Sequence, residues 1–321
     1  MGNDIKPEIT VVILTYNPVL DKLIETLLSV LVQSDVSIEI VFADDGSAYD
    51  YSSDIDRVMR LNSFSAYRYV RSSVNRGTVL NCYSALKTIE TEYVKLLSPG
   101  DLLIGERVLS DWLENIKTAQ ADISFSGAMY YCKDADGKKG LEARKPSPKE
   151  RFIYSSGSNN DVVRHYLLYD DITLGPAVLL RLPPFLCCLE KMLGKVKYAE
   201  DSAIRLMIAQ GATTTAFDED AILYEADSGI SASNTDEWNL RLKKDWCETD
   251  ELIANMLPDD TLGRRIRRKM DLFAQENKLL LHLCFPIRAL WRLKTKIPYG
   301  KTSTDAGKIE PFLQKIGQLP S

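Results

Sequence analysis

The sequence predicts an α/β fold, a mostly parallel, doubly wound central sheet followed by a helical C-terminal extension. Two observations predict it. Through the first 125 residues, short apolar runs alternate with amphipathic stretches long enough to be crossover helices. From Asp236 onward the pattern is almost wholly helical.

Strands are expected at residues 11–14, 38–42, 67–70, 93–97 and 122–125, with helices at 21–33, 55–62, 77–90 and 105–117. The apolar run 9–14 is too short for an export signal and reads as a buried strand. A run at 128–132 leads into a hairpin-like turn at Asp134-Ala-Asp-Gly137. The Lys-, Pro-, Ser- and Gly-rich segment 138–158 reads as a mobile loop. Regular patterning resumes with a helix at 161–169, a strand at 177–181 and helices at 184–193 and 201–210. Strands at 213–217 and 221–224 complete the body. The expected division is a body at 1–233, with halves at about 1–125 and 126–233, and an extension at 234–321.

Composition excludes several classes. Of 321 residues, 45% are hydrophobic and 26% charged, an ordinary globular balance without a disordered signature. The net charge of −5 divides unevenly, with +9 between Arg264 and Lys301 and −14 elsewhere. A mildly acidic body with one basic segment is unlike a nucleic-acid binder and suits a basic docking element. The six cysteines form no CxxC pair and only two histidines are present, which argues against zinc and for reduced thiols in a cytoplasmic protein. No run of about 18 apolar residues is present to span a membrane.

Three polar clusters close expected strands: Thr15-Tyr16-Asn17-Pro18, Asp44-Asp45-Gly46-Ser47 and Ser98-Pro99-Gly100-Asp101. In a parallel sheet these C-terminal strand ends converge on the edge where open α/β sheets bind ligands. Tight turns of Gly and hydroxyl residues bring backbone N–H groups to phosphate or ribose, and acids there call for a divalent cation to bridge carboxylate and phosphate oxygens.

Taken with Val12-Ile-Leu-Thr-Tyr-Asn17, Asn75-Arg-Gly77, Leu97-Ser-Pro-Gly-Asp101 and Glu200-Asp201, in this order and spacing, the chain resembles the family 2 glycosyltransferases over residues 8–233. The resemblance implies the Rossmann-like A-type fold of nucleotide-diphosphosugar transferases and an inverting hexosyltransferase of the bacterial surface-polysaccharide or glycoconjugate type. Residues 1–233 then form the catalytic domain, its first half for the nucleotide-sugar and its second for the acceptor. Thr15, Tyr16, Asn17, Asp44, Asp45 and Gly77 are implied to bind the nucleotide of a UDP-linked donor. Asp101 is implied to hold Mn2+ or Mg2+ as an exposed ligand, with Asp227 as a second ligand, and Asp201 to be the base. Segment Thr173-Leu-Gly-Pro-Ala177 resembles the stretch that helps form the acceptor pocket.

These residue types suit the chemistry. A sugar hydroxyl is a weak acid, so its attack gains from a carboxylate that accepts the proton. The departing nucleoside diphosphate develops charge that a cation and backbone donors stabilise. One departure from the family pattern stands out: Ser98, Pro99 and Gly100 replace all the signature acids except Asp101. A single carboxylate, with phosphates and water, suits magnesium or manganese.

Each motif also has a plain structural reading. Asp-Asp-Gly-Ser is often a surface turn, Glu200-Asp201 is an acidic helix start, and Asp101 is a helix N-cap. Arg71 and Arg76 read as solvated, and Trp238 and Trp246 as packing residues. Two other functions compete with the transferase reading. One is a degenerate transferase kept as a partner-binding scaffold, and the other a sugar-phosphate nucleotidyltransferase, whose Gly-rich basic loop after strand one is replaced here by Thr15-Tyr-Asn-Pro-Val19. The expected partners are a nucleotide-sugar donor and a glycan or lipid-linked oligosaccharide acceptor. In the tail, Arg264-Arg265-Ile-Arg267-Arg268-Lys269 and the stripe Leu283, Ile287, Leu290 and Trp291, near Arg288, Arg292, Lys294 and Lys296, suit peripheral contact with an anionic membrane at its inner face or a homo-oligomer contact.

Overall fold

The computed structural model describes residues 6–133, 139–142, 150–171, 173–226, 235–294 and 306–321. Four parallel strands form the nucleus of the sheet: β1 (Ile9–Thr15), β2 (Ile38–Asp44), β3 (Tyr67–Arg71) and β4 (Tyr93–Leu97), in the order β3-β2-β1-β4. Helices α1 (Leu20–Leu31), α2 (Ser52–Leu61) and α3 (Thr78–Leu86) make the crossovers. The period-two alternation of a strand sends Ile9, Val11 and Ile13 of β1 to the core shared with α1 and α2, and Val12 and Leu14 to the core shared with α3.

Beyond β4 the sheet becomes mixed. The elements are β5 (Leu102–Leu103), α4 (Val108–Thr118), β6 (Ile123–Lys133), β7 (Lys139–Glu142), α5 (Arg151–Ser156), α6 (Asn159–Val163), β8 (Val178–Arg181), α7 (Leu182–Met192), α8 (Ala203–Ala209) and β9 (Thr214–Glu225). The order continues β4-β8-β6-β9-β5, with β7 on β6. Strand β8 runs antiparallel to both neighbours, so the fifth predicted strand does not extend the parallel set beside β4.

Several expected boundaries are corrected. Runs 122–125 and 128–132 fuse into β6, and runs 213–217 and 221–224 into β9. The two strands pair in parallel with register shifts at Phe125, Gly127 and Ala128. Such a bulge bends a strand without ending it, which from sequence looks like a break. A Cβ on Gly127 would lie 1.7 Å from Asp220 Oδ1, so the missing side chain makes room for the Asp220–Arg151 ion pair at 2.9 Å. The segment read as a mobile loop carries β7 and α5, while the turn at Asp134–Gly137 lies outside the described residues.

Among the described residues five helices follow: α9 (Asp236–Met256), α10 (Thr261–Ala274), α11 (Lys278–Cys284), α12 (Pro286–Lys294) and α13 (Ala306–Gln318). Side-chain caps start three of them, with Thr235 accepting from Trp238 N–H, Asp260 from Gly263 N–H and Asn277 from Leu280 N–H. Leu252, Ile253, Ile266, Met270 and Leu281 join the core on the α3 side, whereas Phe312 and Ile316 of α13 join the core on the α1 side. Among the described residues no helix is long and apolar enough to cross a membrane.

Candidate active site

The C-terminal ends of β1 and β2 lie side by side, with Thr15 opposite Asp44. Beside them is a cavity of about 210 Å3 lined by Thr15, Phe42, Asp44, Tyr51, Tyr69 and Arg71, among others. Phe42 and Tyr69 stack at 5.5 Å and supply a flat apolar wall. Asp44 accepts from Ser47 N–H at 3.2 Å and pairs with Arg71 Nε at 3.1 Å. Arg71 also pairs with Asp50 at 2.8 Å and donates to Ser47 O at 3.1 Å. Arg71 stays 38% exposed, as expected from sequence, and it also lines the pocket. Aromatic wall, carboxylate and guanidinium together suit one planar, polar-edged ring.

The remaining predicted nucleotide residues stand outside this cavity. Tyr16 is 51% exposed and does not line the cavity. Asn17, at φ 45°, clasps the strand end to the acidic turn: its N–H donates to Ser47 Oγ at 2.7 Å, and its Oδ1 accepts from Ala48 N–H at 2.9 Å. Asp45 is a correction. Its buried carboxylate turns inward and accepts from Arg76 N–H at 2.9 Å and Gly77 N–H at 2.7 Å. Burial raises its pKa against those two hydrogen bonds. Gly77 is corrected with it, because its N–H is committed to Asp45. With φ 95°, a Cβ on Gly77 would stand 2.5 Å from Lys197 O, so this position serves close backbone packing.

At the end of β4 the chain turns through Ser98–Asp101. Gly100 N–H donates to Thr26 Oγ1 at 2.9 Å, and Tyr131 Oη–H donates to Gly100 O at 2.9 Å. Asp101 was expected to be exposed, yet only 6% of it is accessible, and its Oδ2 accepts from Ser98 N–H at 2.8 Å. Nor does it cap the next helix, since α4 starts at Val108 behind Arg107. Burial raises the Asp101 pKa, opposed by the Ser98 N–H and by the Lys95 charge. Lys95 is fully buried, and burial lowers its pKa against the attraction of Asp101. Its ammonium donates to Leu96 O at 2.9 Å, to Val178 O at 3.2 Å and to Pro176 O.

Two further acids converge here. Glu225, at the end of β9, pairs with Lys22 of α1 at 2.5 Å and presses on Gly100, where a Cβ would lie 2.9 Å from its Oε2. Glu200 and Asp201 form the single 3-10 turn that leads into α8. The Glu200 pKa is raised by burial first, then by the Asp201 charge, and further by Asp101, against a hydrogen bond with the Thr78 side chain. Asp201 is raised by burial, with Arg205 opposing. Gly175 of the Thr173–Ala177 segment packs on Asp201, since a Cβ there would meet the Asp201 Cβ at 3.4 Å. Lys95, holding Pro176 O, joins that segment to β4, the strand that leads into the Asp101 turn.

The structure thus brings Thr15 and Asp44 together at one pocket and Asp101, Glu200 and Asp201 together in one electrostatic cluster. Lys22, Lys95 and Glu225 went unnoticed in the sequence. Only Lys95 carried a signal: a lysine inside the run Tyr93-Val-Lys-Leu-Leu97 is a cation in a buried strand and needs a compensating partner. Asp227 lies outside the described residues. Among the described residues no three His, Cys, Asp or Glu group closely enough to hold a metal ion by themselves. Asp101 still offers one oxygen, as its Oδ1 takes no hydrogen bond among the described residues. That donor set fits Mg2+ or Mn2+, which bind through one or two carboxylates plus phosphates and water.

A strand-end pocket beside clustered carboxylates is the arrangement of a ligand site on an α/β sheet. The family model for Glycosyl transferase family 2 matches residues 10–170, and the chain belongs to that family. Its fold is similar to that of S. aureus TarS 1–349, with 20% identity, 87% of this chain and 72% of that chain covered, and TM-score 0.55. The structure of TarS 1–349 in complex with UDP-GlcNAc is similar too, with 19% identity, 87% and 73% coverage, and TM-score 0.52. Mannosyltransferase PcManGT from Pyrobaculum calidifontis, in complex with GDP-Man and Mn2+, shares 13% identity, with 98% and 81% coverage and TM-score 0.55. A search of the curated proteins found no match.

Proposed function

We propose that this glycosyltransferase moves a sugar from a UDP-linked donor to a glycan or lipid-linked acceptor hydroxyl, by metal-assisted single displacement with inversion, in surface-polysaccharide or glycoconjugate synthesis. The observation that carries it is the Thr15–Asp44–Arg71 pocket at the ends of β1 and β2 together with the Asp101 turn at the end of β4, whose charge reaches Glu200 beside Asp201. The base of the nucleotide occupies the aromatic-walled pocket, with Asp44 and Arg71 meeting its polar edge. Asp101, with Asp227 as a second ligand, would hold Mg2+ or Mn2+, which would supply positive charge to neutralise the diphosphate. Asp201 accepts the proton of the acceptor hydroxyl as oxygen bonds to the anomeric carbon and the bond to the diphosphate breaks. Attack opposite the leaving group inverts that centre. Asp201 suits the role because burial raises its basicity above that of an ordinary carboxylate.

The test is release of UDP and GDP from a panel of their sugars, with and without manganese. UDP release that is stimulated by acceptor and by metal is the expected result. Release from GDP-sugars alone overturns the choice of base, and no release from any donor, together with no nucleotide binding, favours the scaffold reading.

The tail supports a membrane-facing role. Leu279 is 72% exposed, Leu283 66% and Leu290 64%, and Ile287 joins them on α11 and α12. Exposed Arg265, Arg268 and Lys278 lie close to this stripe in sequence, and Arg268 reaches Cys284 Sγ at 3.8 Å. Apolar residues flanked by cations match an anionic bilayer surface.

A further inference from the structure

On the α3 side of the sheet, an open groove of about 610 Å3 runs between α3, the segment 193–198 and α9. Five cations line it: Arg76, Lys195, Lys197, Arg241 and Lys244. The sixth charge, Asp245, is buried and accepts from Lys197 N–H at 3.1 Å and Tyr198 N–H at 2.6 Å, so it shapes the wall. Only Arg241 has an ion-pair partner among the described residues, Glu237 at 2.5 Å. Arg76 keeps a buried Nε–H with no hydrogen-bond partner among the described residues. The chain as a whole carries −5, so this local excess of positive charge is not the average character of its surface.

The groove shares a wall with the catalytic turn. Thr78 Oγ1 donates to Tyr198 O at 2.6 Å and Val79 N–H to Lys197 O at 3.1 Å, and Glu200 and Asp201 follow directly. The groove also lies apart from the nucleobase pocket, with which it shares no lining residue. Resting on the transferase reading, we propose that this groove binds a phosphate-bearing stretch of the acceptor, so that the acceptor is a polyanion held by Arg76, Lys195, Lys197 and Lys244 while its hydroxyl reaches Asp201. Tyr198 is the one aromatic among the lining residues, and its ring is already engaged by Lys197 Nζ and by Trp238, each at 5.0 Å, so the lysines and Arg76 around the open trough suit repeated phosphate charges better than a neutral glycan.

The test is calorimetric titration of the full chain with inorganic tripolyphosphate, alone and with saturating UDP, for the parent and for the double variant Lys195→Gln/Lys244→Gln. Both lysines are exposed, so the variant should keep the fold and its UDP affinity. The expected result is tripolyphosphate binding that persists with UDP present, weakens as salt rises and falls at least tenfold in the variant. Unchanged affinity in the variant overturns the proposal. Displacement by UDP also overturns it, because the anion then sits in the donor site. Competition by phosphatidylglycerol vesicles, lost in the variant, overturns it in favour of a lipid headgroup. UDP binding without groove-dependent polyanion binding sinks the groove and leaves the transferase reading standing. Groove-dependent binding in a chain that binds no nucleotide sinks the transferase reading, and with it the assignment of the anion to an acceptor.

Discussion

Asp201 and Glu200 are neighbours in one turn, yet their surroundings give them different work. Gly175 of the Thr173–Ala177 segment packs on Asp201, whereas Glu200 feels the charges of Asp201 and Asp101. Asp201→Asn keeps the size and removes the basicity, so turnover should fall by ~10² to 10⁴ with UDP affinity nearly unchanged. Retained turnover with lost nucleotide affinity would move Asp201 to the donor site. The same change removes a negative neighbour of Glu200, so its raised pKa should drop toward the ordinary range, as carboxyl NMR titration would show. Glu200 also sets a sign for stability. Its folded pKa is raised, so the native state holds a proton that the unfolded chain has released, and stability falls as pH climbs from the ordinary carboxylate range to the raised value. Glu200→Gln should therefore melt a few degrees above the parent at pH 8 and level with it near pH 4. A lower melting temperature at pH 8 would refute this. Asp101→Asn still offers an oxygen to Ser98 N–H, so the fold should survive while transfer drops by more than about tenfold, or ~1.4 kcal/mol of barrier.

Among the elements, α11 and α12 depart furthest from what their sequence suggested. The stripe of Leu283, Ile287 and Leu290 is exposed, but Arg288 is buried on Asp170 and cannot contribute to a cationic face. Lys269 of the basic cluster is buried on the same carboxylate, and Arg267 serves as a staple, donating to Leu257 O at 2.9 Å. The docking charge is therefore smaller than the +9 of the segment, and among the described residues Arg265, Arg268 and Lys278 are exposed cations on α10 and α11. The full chain should co-sediment with phosphatidylglycerol vesicles at low salt and release as salt rises, each cation contributing ~1 kcal/mol. Leu283→Glu/Ile287→Glu should abolish this. If the parent ignores the vesicles while the double variant turns an oligomer into a monomer, the stripe is a subunit contact.

For the whole molecule, Asp170 is the knot between body and extension. Its carboxylate meets Lys269 of α10 and Arg288 of α12, both buried, and those cations hold its pKa low despite burial. Removing one partner of a buried charge cluster leaves the others uncompensated. Asp170→Ala should cost ~3–5 kcal/mol, seen as an earlier urea midpoint, with α10 to α12 losing hydrogen-exchange protection first. Loss of protection spread evenly over the sheet would show that the extension is not fastened there.

What the sequence by itself determined is local and periodic. Alternating apolar runs set β1 to β4 and their crossovers, and the strand-end positions of Thr15, Asp44 and Asp101 brought three polar clusters to one edge, because turn residues and period-two patterns are written in neighbouring positions. Tertiary structure decided the rest. Strand β8 enters between β4 and β6, and a bulge makes one strand of what reads as two. Asp45 faces inward while Asp44 faces the pocket, although the two are adjacent acids on one turn. Lys22, Lys95, Glu225 and Asp170 gain their meaning from partners up to 203 positions away, as Lys22 does from Glu225. The physical reason is that desolvation and charge pairing depend on distance in space, and no periodicity along the chain encodes which distant side chain will stand beside a buried charge.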